Sequence, residues 1–238
     1  MDPSRFGCRP KPKQSKKVTS QKTELLLIRH GETAWNAVRR LQGHLDIGLN
    51  AEGQRQAQAL GLHLAHQDLT AIISSDLQRA LHTAKAIAQH RDITVQVDAR
   101  LRERCFGDFE GKLYSELPEL YPAEYALWRS RDPDLHFPAK PDEPNNRGES
   151  IREFHQRVIS CLHDYAERYA GQRIALIAHG GVLECAWREA SGLPLNAERA
   201  VTIFNASINY FRFENDRLHL IEWGQIAHLE RDVLDELK

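Results

Sequence analysis

Apolar positions along this chain alternate between two spacings. Short, mostly apolar runs at residues 23–28 ("TELLLI"), 71–74, 93–97 and 173–178 predict buried strands. Between them the spacing becomes helical. Ala57, Leu60, Leu64 and Ala65 share one face of "NAEGQRQAQALGLHLA", and Leu77, Ala80, Leu81, Ala84 and Ile87 share one face of "LQRALHTAKAIAQH". Asp76 is the expected N-cap of the second helix. Phe154, Val158, Leu162 and Tyr165 mark the inner face of a longer helix in "GESIREFHQRVISCLHDYAERY". Near the end, "INYFRFEND" and "RLHLIEWG" predict a hairpin turning at Asn215-Asp216. Strands alternating with helices predict an α/β fold, a three-layer α/β/α sandwich around a mainly parallel sheet. In such sheets ligands bind beyond the carboxyl ends of the strands.

The pattern fails in two places. Residues 105–148 are rich in proline and aromatic residues and keep no period, so they are expected to form short helices and loops that cover a site. Residues 1–22 are almost without apolar positions and carry seven Lys or Arg against one Asp, a net of +6. The whole chain carries −1, leaving −7 for residues 23–238. The expected organisation is a disordered basic tail, 1–22, followed by a single domain, 23–238.

Composition narrows the class. At 41% hydrophobic and 27% charged the chain has the profile of a soluble globular protein. No stretch approaches the roughly 18 apolar residues of a spanning helix, and the first residues lack the apolar core of a secretory signal. The acidic body gives no reason to expect nucleic acid as a partner. Cys8, Cys105, Cys161 and Cys185 form no close metal-type pair, so free thiols, a cytoplasmic location and no metal are expected.

Two of the predicted strands end alike. The first runs into Arg29-His30-Gly31, the fourth into His179-Gly180-Gly181. "SSDLQRA" places Arg79 just inside a helix that also begins beyond a strand end. Two arginines and two histidines at one rim make a cationic pocket, and the planar guanidinium fork matches phosphate oxygens. Cleaving a phosphomonoester also needs a proton for the leaving oxygen. Glu103 in "LRERCFGDFEG" is the best-placed acid, with Glu32, Asp108 and Glu110 as rivals from spacing alone. The other histidines, His44 and His228 among them, read as surface or packing residues.

"RHGETAWN", "LQGHLDIGLNAEGQRQA", "SSDLQRALHTA", "LRERCFGDFEGKLYSEL", "GES" and "IAHGGVLE" follow in order, and with them the chain closely resembles the histidine phosphatase superfamily, the phosphoglycerate mutase-like family, from Leu25 to Leu229. The resemblance implies a phosphoglycerate mutase-like fold and an enzyme with no cofactor. It implies His30 as the nucleophile that becomes a phosphohistidine, Arg29 and Arg79 as clamps on the phosphoryl oxygens, and His179 as a hydrogen-bond donor to the same oxygens. Glu103 would be the proton donor and later the base that activates water. Asn36, Gln42 and Gly43 would line the substrate side, and Gly180 would offer a backbone amide.

Relatives that are mutases carry a longer block after the acid; here "ERCFGDFEGKLYSEL", with Phe106 and Phe109, is similar to the phosphatase branch. The resemblance therefore implies hydrolysis of a small phosphorylated metabolite. The alternatives are a phosphoglycerate mutase using the same phosphohistidine and an inactive protein that only binds a phosphorylated ligand. The terminal hairpin and the aromatics of the cover could each support a homodimer.

Overall fold

A computed structural model describes residues 22–144 and 147–229; the expected basic tail lies, but for Lys22, outside the described residues. Six strands form one sheet in the order β3-β2-β4-β1-β5-β6. They are β1 Thr23–Arg29, β2 Ala71–Ser74, β3 Val95–Val97, β4 Arg173–Ala178, β5 Ile208–Glu214 and β6 Arg217–Gln225. The first four in sheet order run parallel, while β5 and β6 are antiparallel additions. Asn215 and Asp216 both have positive φ (54° and 56°), which makes the tight turn of the predicted hairpin.

The mostly apolar runs follow from burial on both faces. Leu25 and Leu27 of β1, Ile73 of β2 and Ile174 and Leu176 of β4 pack on one side with α6 (Ile151–Arg168) and α7 (Gly180–Ser191). Leu26, Ile28, Ile72, Ala175 and Ile177 pack on the other side with α2 (Ala51–Leu64) and α3 (Gln78–Ala88), which follow the short α1 (Ala34–Ala37). These are the three expected layers. The inner faces of α2, α3 and α6 are those read from spacing, except that Ala65 and Leu81 are only half-buried.

Two local expectations need correction. Asp76 does not cap α3; it pairs with Arg102. Leu77 occupies the cap position without a side-chain bond, and Asp46, from a distant turn, accepts from the Gln78 amide at 2.7 Å. The third strand is shorter than 93–97, because this edge strand pairs only through Val95, Gln96 and Val97.

The segment expected to be a cover holds α4 (Leu117–Leu120) and α5 (Pro122–Arg129). It builds its own small core from Leu41, Phe109, Leu117 and Phe137, with Phe106, Tyr114, Tyr121, Tyr125 and Trp128 packed around it. Cys105, Cys161 and Cys185 are free and buried. Among the described residues no helix is long and apolar enough to cross a membrane.

Candidate active site

The parallel pairing of β1 and β4 aligns Arg29 with Ala178, so both strands deliver their histidines at one level. The His30 amide donates to Ala178 O (3.0 Å), and the ring centroids of His30 and His179 lie 5.1 Å apart. Gly31 turns the chain away from the site under a tight constraint. A Cβ there would sit 2.4 Å from the carbonyl oxygen of Gly53 in α2. The Gly31 amide donates to the Thr83 hydroxyl (3.1 Å), and Asn205 Nδ2 and the Ala206 amide both donate to His30 O at 3.1 Å. The nucleophile candidate is thus held from β4, α3 and the 205–206 turn.

His30 Nδ1 lies 2.7 Å from Gly31 O, which makes Nδ1–H the donor and leaves Nε2 with a lone pair. Burial, then the Arg79 and Arg29 charges, push the imidazole well below its usual range. The ring is therefore neutral at ordinary pH, the state a nucleophile needs. His179 is lowered in the same direction by burial and then Arg79. Its Nδ1 accepts from Arg79 Nε at 3.2 Å, so its Nε2–H donates to Ser75 Oγ at 2.9 Å. Arg79 also donates to Gly43 O and Leu45 O (2.8 and 2.9 Å), and burial lowers it to about 10, which leaves it charged.

Glu103 is buried, with Oε1 accepting from the Arg104 amide (2.8 Å) and Oε2 from the Gly181 amide (3.0 Å). Its own carbonyl accepts from His44 Nε2 (2.9 Å) and Arg157 Nη2 (3.2 Å). The rival carboxylates are engaged elsewhere. Glu32 accepts from Asn50 (2.8 Å), and Asp108 accepts from the Tyr121 hydroxyl. Glu110 takes the His44 and Phe106 amides on one oxygen and Lys140 on the other. The Cys105 thiol is pushed up to about 11 by burial, so it stays protonated.

A partly open cleft lies here, lined by His30, Asn36, Gln42, Gly43, Arg79 and Glu103 among others. Six of the nine residues singled out from sequence thus meet at one cavity; Arg29, His179 and Gly180 are not among its lining residues, and Arg29 is buried with Nη1 donating to Ile203 O at 2.7 Å. Asn36 Oδ1 and Gln42 Oε1 both lie within 3.1 Å of the Thr33 hydroxyl, so each amide keeps its NH2 group as a donor. Sequence reasoning missed Ser75, Thr83, His44, Gly181 and Asn205. His44 corrects the surface-or-packing reading, since it ties the Gln42-Gly43 turn to Glu103. Gly181 has the same sequence signal as Gly180, but it is the Gly181 amide that meets Glu103. No group of three or more His, Cys, Asp or Glu among the described residues could hold a metal ion.

His228 fits the packing reading, half-buried beside His63, and gives the fold a pH dependence. Its Nε2–H donates to Ala206 O (3.0 Å), directly behind His30. Burial and then the adjacent His63 lower its pKa to about 4. An unfolded histidine titrates near about 6.5, so on acidification the unfolded chain takes up protons first. Stability is complete above about pH 6.5 and falls as pH drops toward 4, with His30 and His179 acting in the same direction. The urea midpoint is expected to fall between pH 7 and pH 5, and to fall less in His228→Asn. A midpoint unchanged at pH 5 would contradict this.

Comparison with known proteins adds an independent line. A family model described as the histidine phosphatase superfamily (branch 1) matches residues 25–226. Phosphoglycerate mutase-like protein 4 of Arabidopsis thaliana is 36% identical over 210 residues, covering 87% of each chain. The solved structure of Bacillus stearothermophilus YhfR superposes with a TM-score of 0.77 at 31% identity, over 87% of this chain and 100% of that one. A phosphoserine phosphatase of Entamoeba histolytica, solved with 3-phosphoglyceric acid, gives 0.75 at 27% identity, over 87% and 99%.

Proposed function

From the premise that the chain belongs to the histidine phosphatase superfamily (branch 1) and is an enzyme of it, we propose that it hydrolyses a small phosphorylated metabolite through a phosphohistidine on His30. The observation that carries this is the His30–Gly31 contact, which sets the tautomer and leaves Nε2 as a nucleophile in a cavity shared with Arg79 and Glu103.

Nε2 attacks phosphorus, and the ester P–O bond breaks as the N–P bond forms. The leaving oxygen takes its proton from Glu103, which becomes a carboxylate. That carboxylate then removes a proton from water as the water oxygen attacks phosphorus. The N–P bond breaks, inorganic phosphate leaves, and Glu103 is protonated again. Arg79, Arg29 and the Asn36 and Gln42 amides supply the positive charge and donors that the phosphoryl oxygens need, without a metal. His179 orients Arg79 and adds its ring beside the same oxygens; the Gly43 turn and the Gly180 amide shape the cradle.

Hydrolysis is preferred over mutase chemistry because of what the cover segment brings to the cavity. A mutase's phosphorylated acid would be held from the cover, and three of the cover's cations are engaged: Arg131 pairs with Glu184, Lys140 with Glu110 and Arg147 with Glu153. The cover presents Phe106 and Tyr114 instead. Product analysis on a panel of phosphorylated metabolites, including 3-phosphoglycerate with and without its bisphosphate, tests the reading. Free phosphate is expected; a positional isomer in its place would make the protein a mutase. The phosphoserine phosphatase relative makes phosphorylated amino and hydroxy acids natural first members of that panel.

A further inference from the structure

The outer half of the cavity has a chemistry that phosphoryl transfer does not use. Trp35, Leu41, Phe106 and Tyr114 form an apolar wall beyond the phosphate end. The rim is built rather than loose. Residues 39–41 pair with residues 111–114 through Tyr114 N to Arg39 O (3.1 Å), Leu41 N to Lys112 O (3.0 Å) and Gly111 N to Leu41 O (2.8 Å). Of the cations lining the cavity, Arg79 is held by its carbonyls and His179, and Arg40 donates to Gly111 O while lying over the Trp35 ring. The Arg39 guanidinium has no partner among the described residues.

Arg39 also sits in the left-handed region, φ 55°, at the end of the short helix Ala34–Ala37. Glycine would take that conformation with less strain. The chain thus holds an exposed cation at the cavity mouth on a backbone that would suit glycine, a conformation Arg131 (φ 56°) shares, and a functional reason for it is worth seeking.

We propose that Arg39 and this apolar wall form a leaving-group subsite. It takes a phosphomonoester whose leaving group is a ring or compact apolar unit carrying a second anionic group at its far end. The unit lies against Trp35, Phe106 and Tyr114 while the distal anion pairs with Arg39. This rests on the reading of the inner cavity as the phosphate site.

The test compares two non-hydrolysable ligands by calorimetry, benzylphosphonate and 4-(phosphonomethyl)benzoate. The wild type is expected to bind the carboxylated ligand about tenfold more tightly. Arg39→Gln and Arg39→Gly are expected to bring the two affinities within about twofold of each other. The glycine variant is expected to melt no lower than the wild type, as the backbone there suits it. Equal affinities in the wild type, or a preference that survives both substitutions, would overturn the subsite. A melting temperature well below wild type for the glycine variant would do the same by making Arg39 a structural residue. Turnover is a separate reading. Arg39-dependent preference between the phosphonates without phosphate release from any ester keeps the subsite and removes the phosphatase, whereas hydrolysis of benzyl phosphate and 4-carboxybenzyl phosphate with no preference does the reverse.

Discussion

His30→Asn is expected to lower phosphate release from an aryl phosphate by roughly 10³-fold or more, the loss that follows removal of a nucleophile whose partners remain. Asparagine is smaller than histidine and cannot carry a stable phosphoryl group, yet it keeps a polar side chain near the Gly31 carbonyl. The wild type, quenched during turnover, is expected to hold phosphate on His30 in a form labile to acid and stable to base. That pattern separates an N–P bond from a serine or aspartyl ester. The physical basis is the neutral ring. Burial and the two arginines keep a proton off Nε2, while the Gly31 carbonyl holds the other proton on Nδ1. Activity should therefore persist well below the ordinary histidine pKa in the free enzyme, for as long as the fold survives acid. Undiminished turnover in His30→Asn, or a labelled residue other than His30, would remove the covalent mechanism.

The sheet was legible because its central strands are buried on both faces, which leaves continuous apolar runs in Leu25–Ile28 and Ile174–Ala178. Local capping was less so. Asp76 had the residue type and place of a cap, but Arg102 competes for it, and Asp46 takes over the helix end from 32 residues away. Nothing in local spacing reports such a contact.

The same division holds in the site. Arg29, His30, Arg79 and His179 stood at strand and helix ends, and the glycines beside the histidines marked close approach. Glu103 could not be separated from Glu110 by spacing. Only the fold shows Glu110 spent on the His44 and Phe106 amides and on Lys140. Ser75, Thr83 and Asn205 act through hydrogen bonds to residues far away in the chain, so no motif marks them. Gly180 and Gly181 carried the same signal. They part only because the Gly181 amide meets Glu103, where a Cβ on Gly181 would come within 2.2 Å of Oε1.

Glu103→Gln is the substitution whose effect should depend most on the substrate. General acid catalysis contributes about 10²–10⁴-fold, but only where the leaving oxygen needs the proton. An alkoxide leaves with difficulty, so an alkyl phosphate should lose about that factor. A nitrophenolate, stable as an anion near neutral pH, should leave without help, and the first burst of nitrophenol should survive the substitution. The slow step then moves to hydrolysis of the phosphohistidine, because glutamine cannot take a proton from the attacking water. Steady-state release should fall while phosphoenzyme accumulates. Rapid-quench measurement of both phases reads this directly. Gly181→Ala provides the companion experiment. It keeps the carboxyl group but forces it to move, since the new methyl also meets the Phe154 ring at 2.9 Å. The alanine variant should show the same dependence on leaving group in weaker form. If Glu103→Gln slowed alkyl and nitrophenyl esters equally, with no surviving burst, Glu103 would be a positioning carboxylate and the proton would have to come from elsewhere.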